Sequence, residues 1–134
     1  MKHTFSIAAF AMIWDPQGRI LLCLRNDLDL WNLPGGWLDA GESPWEGVRR
    51  ETHEETWLEI DIIELTGIYN KTDHKEILFS FVCEITGGEA GCTSECCEMR
   101  YFAPDEIPTN TPRRHQEIII DYLEDPDSLA MKHQ

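Results

Sequence analysis

The stretch Asn32-Leu33-Pro34-Gly35-Gly36-Trp37-Leu38-Asp39-Ala40-Gly41-Glu42-Ser43-Pro44-Trp45-Glu46-Gly47-Val48-Arg49-Arg50-Glu51-Thr52-His53-Glu54-Glu55-Thr56 joins a glycine turn to a short acidic helix. Ser43 and Pro44, with Glu46 three residues after the serine, compose a capping box: the hydroxyl accepts from an orphan amide, the glutamate reaches back, and proline occupies the tolerated first position. The helix therefore starts here. Counted from that start, Glu51, Glu54 and Glu55 fall at i, i+3 and i+4, so their carboxylates share one face. Charges so placed repel unless water solvates them or a hard divalent cation gathers them, and an oxygen-only set suits Mg²⁺ or Mn²⁺ rather than zinc. Arg50, next to Glu51, can orient a carboxylate with its guanidinium. A solvated helix face is the plain alternative for the three glutamates. The preceding Gly35-Gly36 favours a site, because glycine lets a carbonyl and several amides turn toward a metal or phosphate, and the helix N-terminus adds a field that attracts anions.

Outward from this stretch, the chain of 134 residues, 42% hydrophobic and 27% charged, has the composition of one globular domain. We expect that domain over residues 1–126 and a loose tail over 127–134, since Pro126 ends the last helical pattern. The formal net charge of −14 has no basic patch to offset it. It argues against nucleic acid or an acidic membrane as partner, and an anionic substrate would need cations in order to approach. No apolar run is long enough for a membrane span and no signal-like basic start is present, so a soluble cytoplasmic protein is expected. The five cysteines, an odd number, fit reduced thiols. A zinc site from Cys92, Cys96, Cys97 and His74 is disfavoured, because adjacent Cys96 and Cys97 point to opposite faces of a strand.

Upstream, residues 4–14 read as a buried strand, Asp15-Pro16-Gln17-Gly18 as a turn, and Arg19 to Arg25 as a second strand forming a hairpin with the first. Arg25, at a strand end just before the glycine turn, could meet a substrate phosphate or be a solvated charge. Downstream, Glu59 to Ile62, Ile68 to Lys71 and Ile77 to Ile85 read as strands. Thr111-Pro112 opens a last helix with Ile118, Ile119, Tyr122 and Leu123 toward the sheet. The order of strands, acidic helix, strands and terminal helix fits an α/β fold, an α/β/α sandwich with a mixed β-sheet. Its expected core is Phe10, Met12, Ile20, Leu22, Val48, Phe79, Phe81, Ile119 and Tyr122.

The run from Gly36 through Glu42 to Arg50-Glu51-Thr52-His53-Glu54-Glu55-Thr56-Trp57-Leu58 resembles the signature of the Nudix hydrolases, Gly-x5-Glu-x7-Arg-Glu-U-x-Glu-Glu-x-Gly-U with U apolar. Every charged position matches. Thr52 replaces an aliphatic residue, which its methyl can imitate. Trp57 replaces a glycine that normally ends the helix in a left-handed conformation, strained by roughly 1 to 2 kcal/mol for other residues, so a differently shaped helix exit is expected.

The resemblance implies the same sandwich fold and a pyrophosphohydrolase of nucleoside diphosphate derivatives, of ADP-ribose or nucleotide-sugar type, with a (d)NTP pyrophosphohydrolase as the alternative. It assigns Mg²⁺, or Mn²⁺, to Glu51, Glu54, Glu55 and the Gly35 carbonyl, with Arg50 orienting Glu51; Arg25, by its position, and Gly36 are the expected substrate contacts. The general base in relatives is a box glutamate or one on a downstream loop; Glu95 is favoured here, with Glu51 and Glu98 as alternatives. Proline and tyrosine marks of two subfamilies are missing, His74, Lys75 and Glu76 standing in their places. Phe5, Trp31, Trp37 and Tyr69 are aromatic residues that could stack on a base. A non-catalytic nucleotide sensor would ordinarily lack box carboxylates, and an isoprenoid-diphosphate isomerase would need an Asn-x-x-Cys-type segment that is missing. Dimerisation, common among relatives, leaves a homodimer open.

Overall fold

The computed structural model describes residues 3–134. Strand β1 (Ser6–Ile13) lies at the centre of the fold, parallel to β6 (Glu76–Gly87) on one edge and antiparallel to the short β4 (Gly35–Trp37) on the other. Beyond β6 come β5 (Glu59–Lys71) and β8 (Ala130–His133), which gives a five-stranded mixed sheet in the order β4-β1-β6-β5-β8. A second sheet of three strands runs β3-β2-β7, from Trp31–Asn32, Ile20–Arg25 and Cys96–Phe102. Helices α1 (Pro44–Thr56) and α2 (Arg113–Glu124) cover the sheets from opposite sides.

The alternation of β1 explains the two layers, because successive side chains of a strand point to opposite faces. Phe10 and Met12 pack with Ile118 and Ile119 of α2, whereas Ala9, Ala11 and Ile13 pack with Val48 of α1. A strand covered on both faces has no solvent side, hence its nearly continuous apolar sequence. Of the expected core, Phe10, Met12, Ile20, Leu22, Val48, Phe81 and Ile119 are buried. Phe79 and Tyr122 are only partly buried and pack against the margins of the two clusters.

The structure corrects four expectations. β1 and β2 form no hairpin: among the described residues the only bridge between them joins Trp14, just past β1, to Ile20, because β1 has both edges taken while β2 pairs with β3 and β7. The two strands expected between Glu59 and Lys71 are one, whose broken alternation is absorbed by register shifts at Ile62/Glu64 and Leu65/Gly67. The tail is not loose at its end, since Ala130 to His133 pair in parallel with Gly67 to Asn70 and cover what would be an open sheet edge. The helix exit keeps the shape that glycine would give: Trp57 itself adopts φ 66° and ψ 0°, and its amide donates to the His53 carbonyl at 2.9 Å.

Candidate active site

The capping box is formed as the spacing predicts: Ser43 Oγ accepts from the Glu46 amide and Glu46 Oε1 accepts from the Ser43 amide, both at 3.2 Å. That start fixes the rotation of α1 and turns Glu51, Glu54 and Glu55 toward β4 and the loop before β7. Glycine is required twice here. Gly35 has φ 137°, and a Cβ on it would collide with the Ala9 carbonyl of β1. At Gly36 a Cβ would lie 3.0 Å from the Glu51 carboxyl carbon, so the missing side chain is the space in which that carboxylate rests.

Arg50 is the hub of the acidic face. Its Nε and Nη2 donate to both oxygens of Glu42, at 2.7 and 2.9 Å, while Nη1 reaches Glu51 at 3.2 Å and Glu54 at 3.1 Å and Nη2 also donates to the Trp37 carbonyl at 3.2 Å. This fork holds the Glu42 carboxyl down to about 2 and raises Arg50 far above the ordinary guanidinium range. Glu42, which the sequence reading left without a task, is therefore what anchors the arginine.

Ligand oxygens of Glu51, Glu54 and Glu95 all lie within 4.8 Å of one another. Glu95 comes from the loop before β7, so one helix and one loop meet at this point. Glu55 lies deeper, and its Oε1 accepts from the Gly35 amide at 2.9 Å. Burial pushes the Glu55 carboxyl up to about 8 against that hydrogen bond, and the charges of Glu51 and Glu95 add to the rise. Glu51 is raised for the same first reason, with Arg50 opposing. An oxygen-only cluster whose ionised form is strained in this way fits a hard divalent cation, which would relieve the repulsion. Among the described residues no Cys/His group comes together as a metal site, and Cys96 is buried while Cys97 is exposed, as strand alternation requires.

Glu51, Glu55, Glu95, Gly35 and Gly36 line a cavity of about 430 Å³ together with Arg25. The Arg25 guanidinium is engaged with Asp27 at 2.8 and 2.6 Å. Asn26 and Ser94 also line this cavity and escaped the sequence reading, because nothing local marks residues that meet across 68 positions. Trp37 separates it from a second cavity that Phe5 also lines; both aromatics are largely exposed, at 44% and 45%, whereas Trp31 and Tyr69 are buried. Glu98 pairs with Arg100 at 3.0 Å, outside the acidic cluster.

The NUDIX domain family model matches residues 4–122. The chain belongs to the Nudix family. Its relatives include a MutT-like protein of Streptomyces ambofaciens, 34% identical over 98% of this chain and 84% of that protein. Another is the ADP-ribose pyrophosphatase of Methanocaldococcus jannaschii, 33% identical over 83% of this chain and 69% of that protein. A Nudix hydrolase structure from Nitrosomonas europaea superposes with a TM-score of 0.86 over all of this chain and 81% of its own, at 22% identity, and shares the sandwich fold. This Nudix chain is accordingly a hydrolase of phosphorus-containing acid anhydrides, a pyrophosphohydrolase. No helix among the described residues is long and apolar enough to cross a membrane.

Proposed function

We propose that this Nudix hydrolase depends on Mg²⁺ or Mn²⁺ and cleaves the pyrophosphate bond of a nucleoside diphosphate derivative of the ADP-ribose type by attack of water on phosphorus. The observation that carries the reading is the convergence of Glu51, Glu54 and Glu95 on one point, with Glu51 and Glu95 lining the cavity of about 430 Å³. The name of the Methanocaldococcus relative supports the substrate class.

Glu51, Glu54 and Glu95 would hold the cation, with Glu55 and the Gly35 carbonyl behind them. When bound, a divalent cation neutralises diphosphate oxygens and acidifies water. Arg50 acts indirectly: clamped on Glu42, it holds Glu51 at the cavity and Glu54 beside it. Arg25, released from Asp27, is the cation available to a phosphate oxygen, and Gly36 leaves room beside Glu51. Glu95 is the carboxylate we assign to take the proton of the attacking water, its second oxygen remaining available to the cation.

Phosphate released by a coupled phosphatase from ADP-ribose, nucleotide sugars, dinucleoside polyphosphates and (d)NTPs, with Mg²⁺, Mn²⁺ or chelator, tests this. Turnover of ADP-ribose that requires the ion and disappears in Glu54→Gln is expected. Preference for a (d)NTP would overturn the substrate class, and turnover indifferent to chelator would overturn the cation.

A further inference from the structure

Trp57 stands where the Nudix signature has glycine, yet it takes the left-handed conformation that glycine would supply without strain. What the chain gains at this position is the indole. The residue is 53% exposed, so burying apolar surface does not account for it. Its Nε1–H donates to the Cys92 carbonyl at 3.2 Å, and a Cβ on Gly91 would come within 3.2 Å of its Cδ1. Gly88 passes so near the Trp57 carbonyl that any side chain there would collide. Two neighbouring contacts act with these: the Gly91 amide donates to the Thr56 carbonyl at 3.2 Å, and the Thr93 hydroxyl to the Glu55 carbonyl at 3.1 Å.

Residues 55, 56 and 57, the end of α1, therefore grip the loop 88–95 at successive points. Thr93 passes the constraint on, because its hydroxyl also accepts from the amides of Glu95 and Cys96 at 3.1 and 3.2 Å. From the other side Asn26 holds the carbonyls of Thr93 and Ser94 at 3.0 and 2.6 Å. Glu95 is the one member of the acidic cluster that does not belong to α1, so its place depends on this attachment.

We propose that Trp57 is a positioning residue, fastening the loop 88–95 to the end of α1 through its indole N–H and ring and so keeping Glu95 within reach of Glu51 and Glu54. The inference rests on the reading that these three carboxylates receive a divalent cation.

Three variants test it. Trp57→Phe keeps a ring and removes the donor, Trp57→Gly restores the signature residue and relieves the backbone, and Glu95→Gln reports on the cation site itself. Mn²⁺ binding without substrate, followed by the resonance of the free ion, is measured alongside amide exchange of residues 88–95 in chelator and the Tm. Trp57→Gly is expected to keep its Tm while Mn²⁺ binding weakens about tenfold, the lower range for loss of a partner behind a ligand. Exchange in the loop should rise with it. Trp57→Phe should weaken binding about threefold, as loss of one hydrogen bond does. Glu95→Gln should weaken it without accelerating exchange. Unchanged Mn²⁺ binding in both Trp57 variants, with weakened binding in Glu95→Gln, would overturn the inference and leave the site reading standing. Unchanged binding in Glu95→Gln as well would overturn the site reading and the inference with it.

Discussion

His115 offers a direct test of how the two layers are joined. It lies on α2, fully buried, with its ring 4.5 Å from Phe10, and its Nδ1 accepts from the Leu33 amide at 3.0 Å. That bond ties α2 to the segment leading into Gly35, which makes it part of the support for the acidic cavity. A proton on Nδ1 would face an N–H donor, and burial already disfavours the charge, first of all causes, with Arg114 and Arg25 adding to it. The imidazole is lowered from 6.5 to about 3. A depressed folded-state pKa means that the unfolded chain takes up the proton first as pH falls below 6.5, so stability present above that pH is progressively lost. Between pH 6.5 and 4.5 the loss is about 2 to 3 kcal/mol, at about 1.4 kcal/mol per pH unit. The wild-type curve will hide much of it. Glu55, raised to about 8, has the opposite sign: its folded state binds the proton first, so it contributes stability as pH falls from 8 toward 4.5. His115→Asn separates the two, because its side-chain oxygen can still accept from the Leu33 amide but cannot titrate. Urea unfolding of both proteins in chelator at pH 7.5, 6.5, 5.5 and 4.5 should show the wild type more stable at pH 7.5. The difference should shrink by about 2 kcal/mol or more at pH 4.5. A difference that stays constant with pH would refute the buried neutral imidazole.

Other perturbations have equally definite outcomes. Thr52 is fully buried and its hydroxyl has no hydrogen-bond partner, so Thr52→Val should stabilise the protein by about 1 kcal/mol in calorimetry; a loss of stability would show that the hydroxyl is satisfied in solution. Gly36→Ala places a methyl 3.0 Å from the Glu51 carboxyl carbon, and turnover should fall about 10- to 100-fold with little change in Tm, as small misplacements of reacting groups do. Removal of residues 130–134 uncovers Gly67 to Asn70 and breaks the 2.7 Å pair of Lys132 with Asp121, so urea stability should fall by about 2 kcal/mol, the worth of a few net hydrogen bonds.

What the sequence disclosed was whatever depends on neighbours along the chain. The start of α1, the shared face of its three glutamates and the position of Arg50 follow from spacing alone. The partner of Arg50 was also within reach, since Glu42 belongs to the same signature and lies one loop away. Pairing between distant strands was not: β2 looks like the second arm of a hairpin, and only the competition of β4 and β6 for the edges of β1 sends it to another sheet. The Trp57 substitution was read as a change of helix exit because strain was weighed without the loop that compensates for it. Three hydrogen bonds between the end of α1 and residues 91–93, with the close passage of Gly88 and Gly91, hold the tryptophan in a conformation its Cβ disfavours.

The charge of the chain and the protonation of its site describe one balance. With net charge −14, an acidic cavity repels a diphosphate unless positive charge is brought in, and Arg25, the one cation lining that cavity among the described residues, is already engaged with Asp27. Burial first, and then the charges of Glu51 and Glu95, lift Glu55 to about 8, so near neutral pH the buried carboxyl holds a proton in place of a cation. Under the proposed function, a divalent ion must displace that proton, so its binding near pH 7 must release it, and the release must fade as the pH rises through about 8. Proton release on adding Mn²⁺ in weak buffer should therefore fall in Glu55→Gln. It should fall much less in Arg25→Gln, because the proton that the cation displaces sits on Glu55 and not on the Arg25 guanidinium, which stays charged throughout.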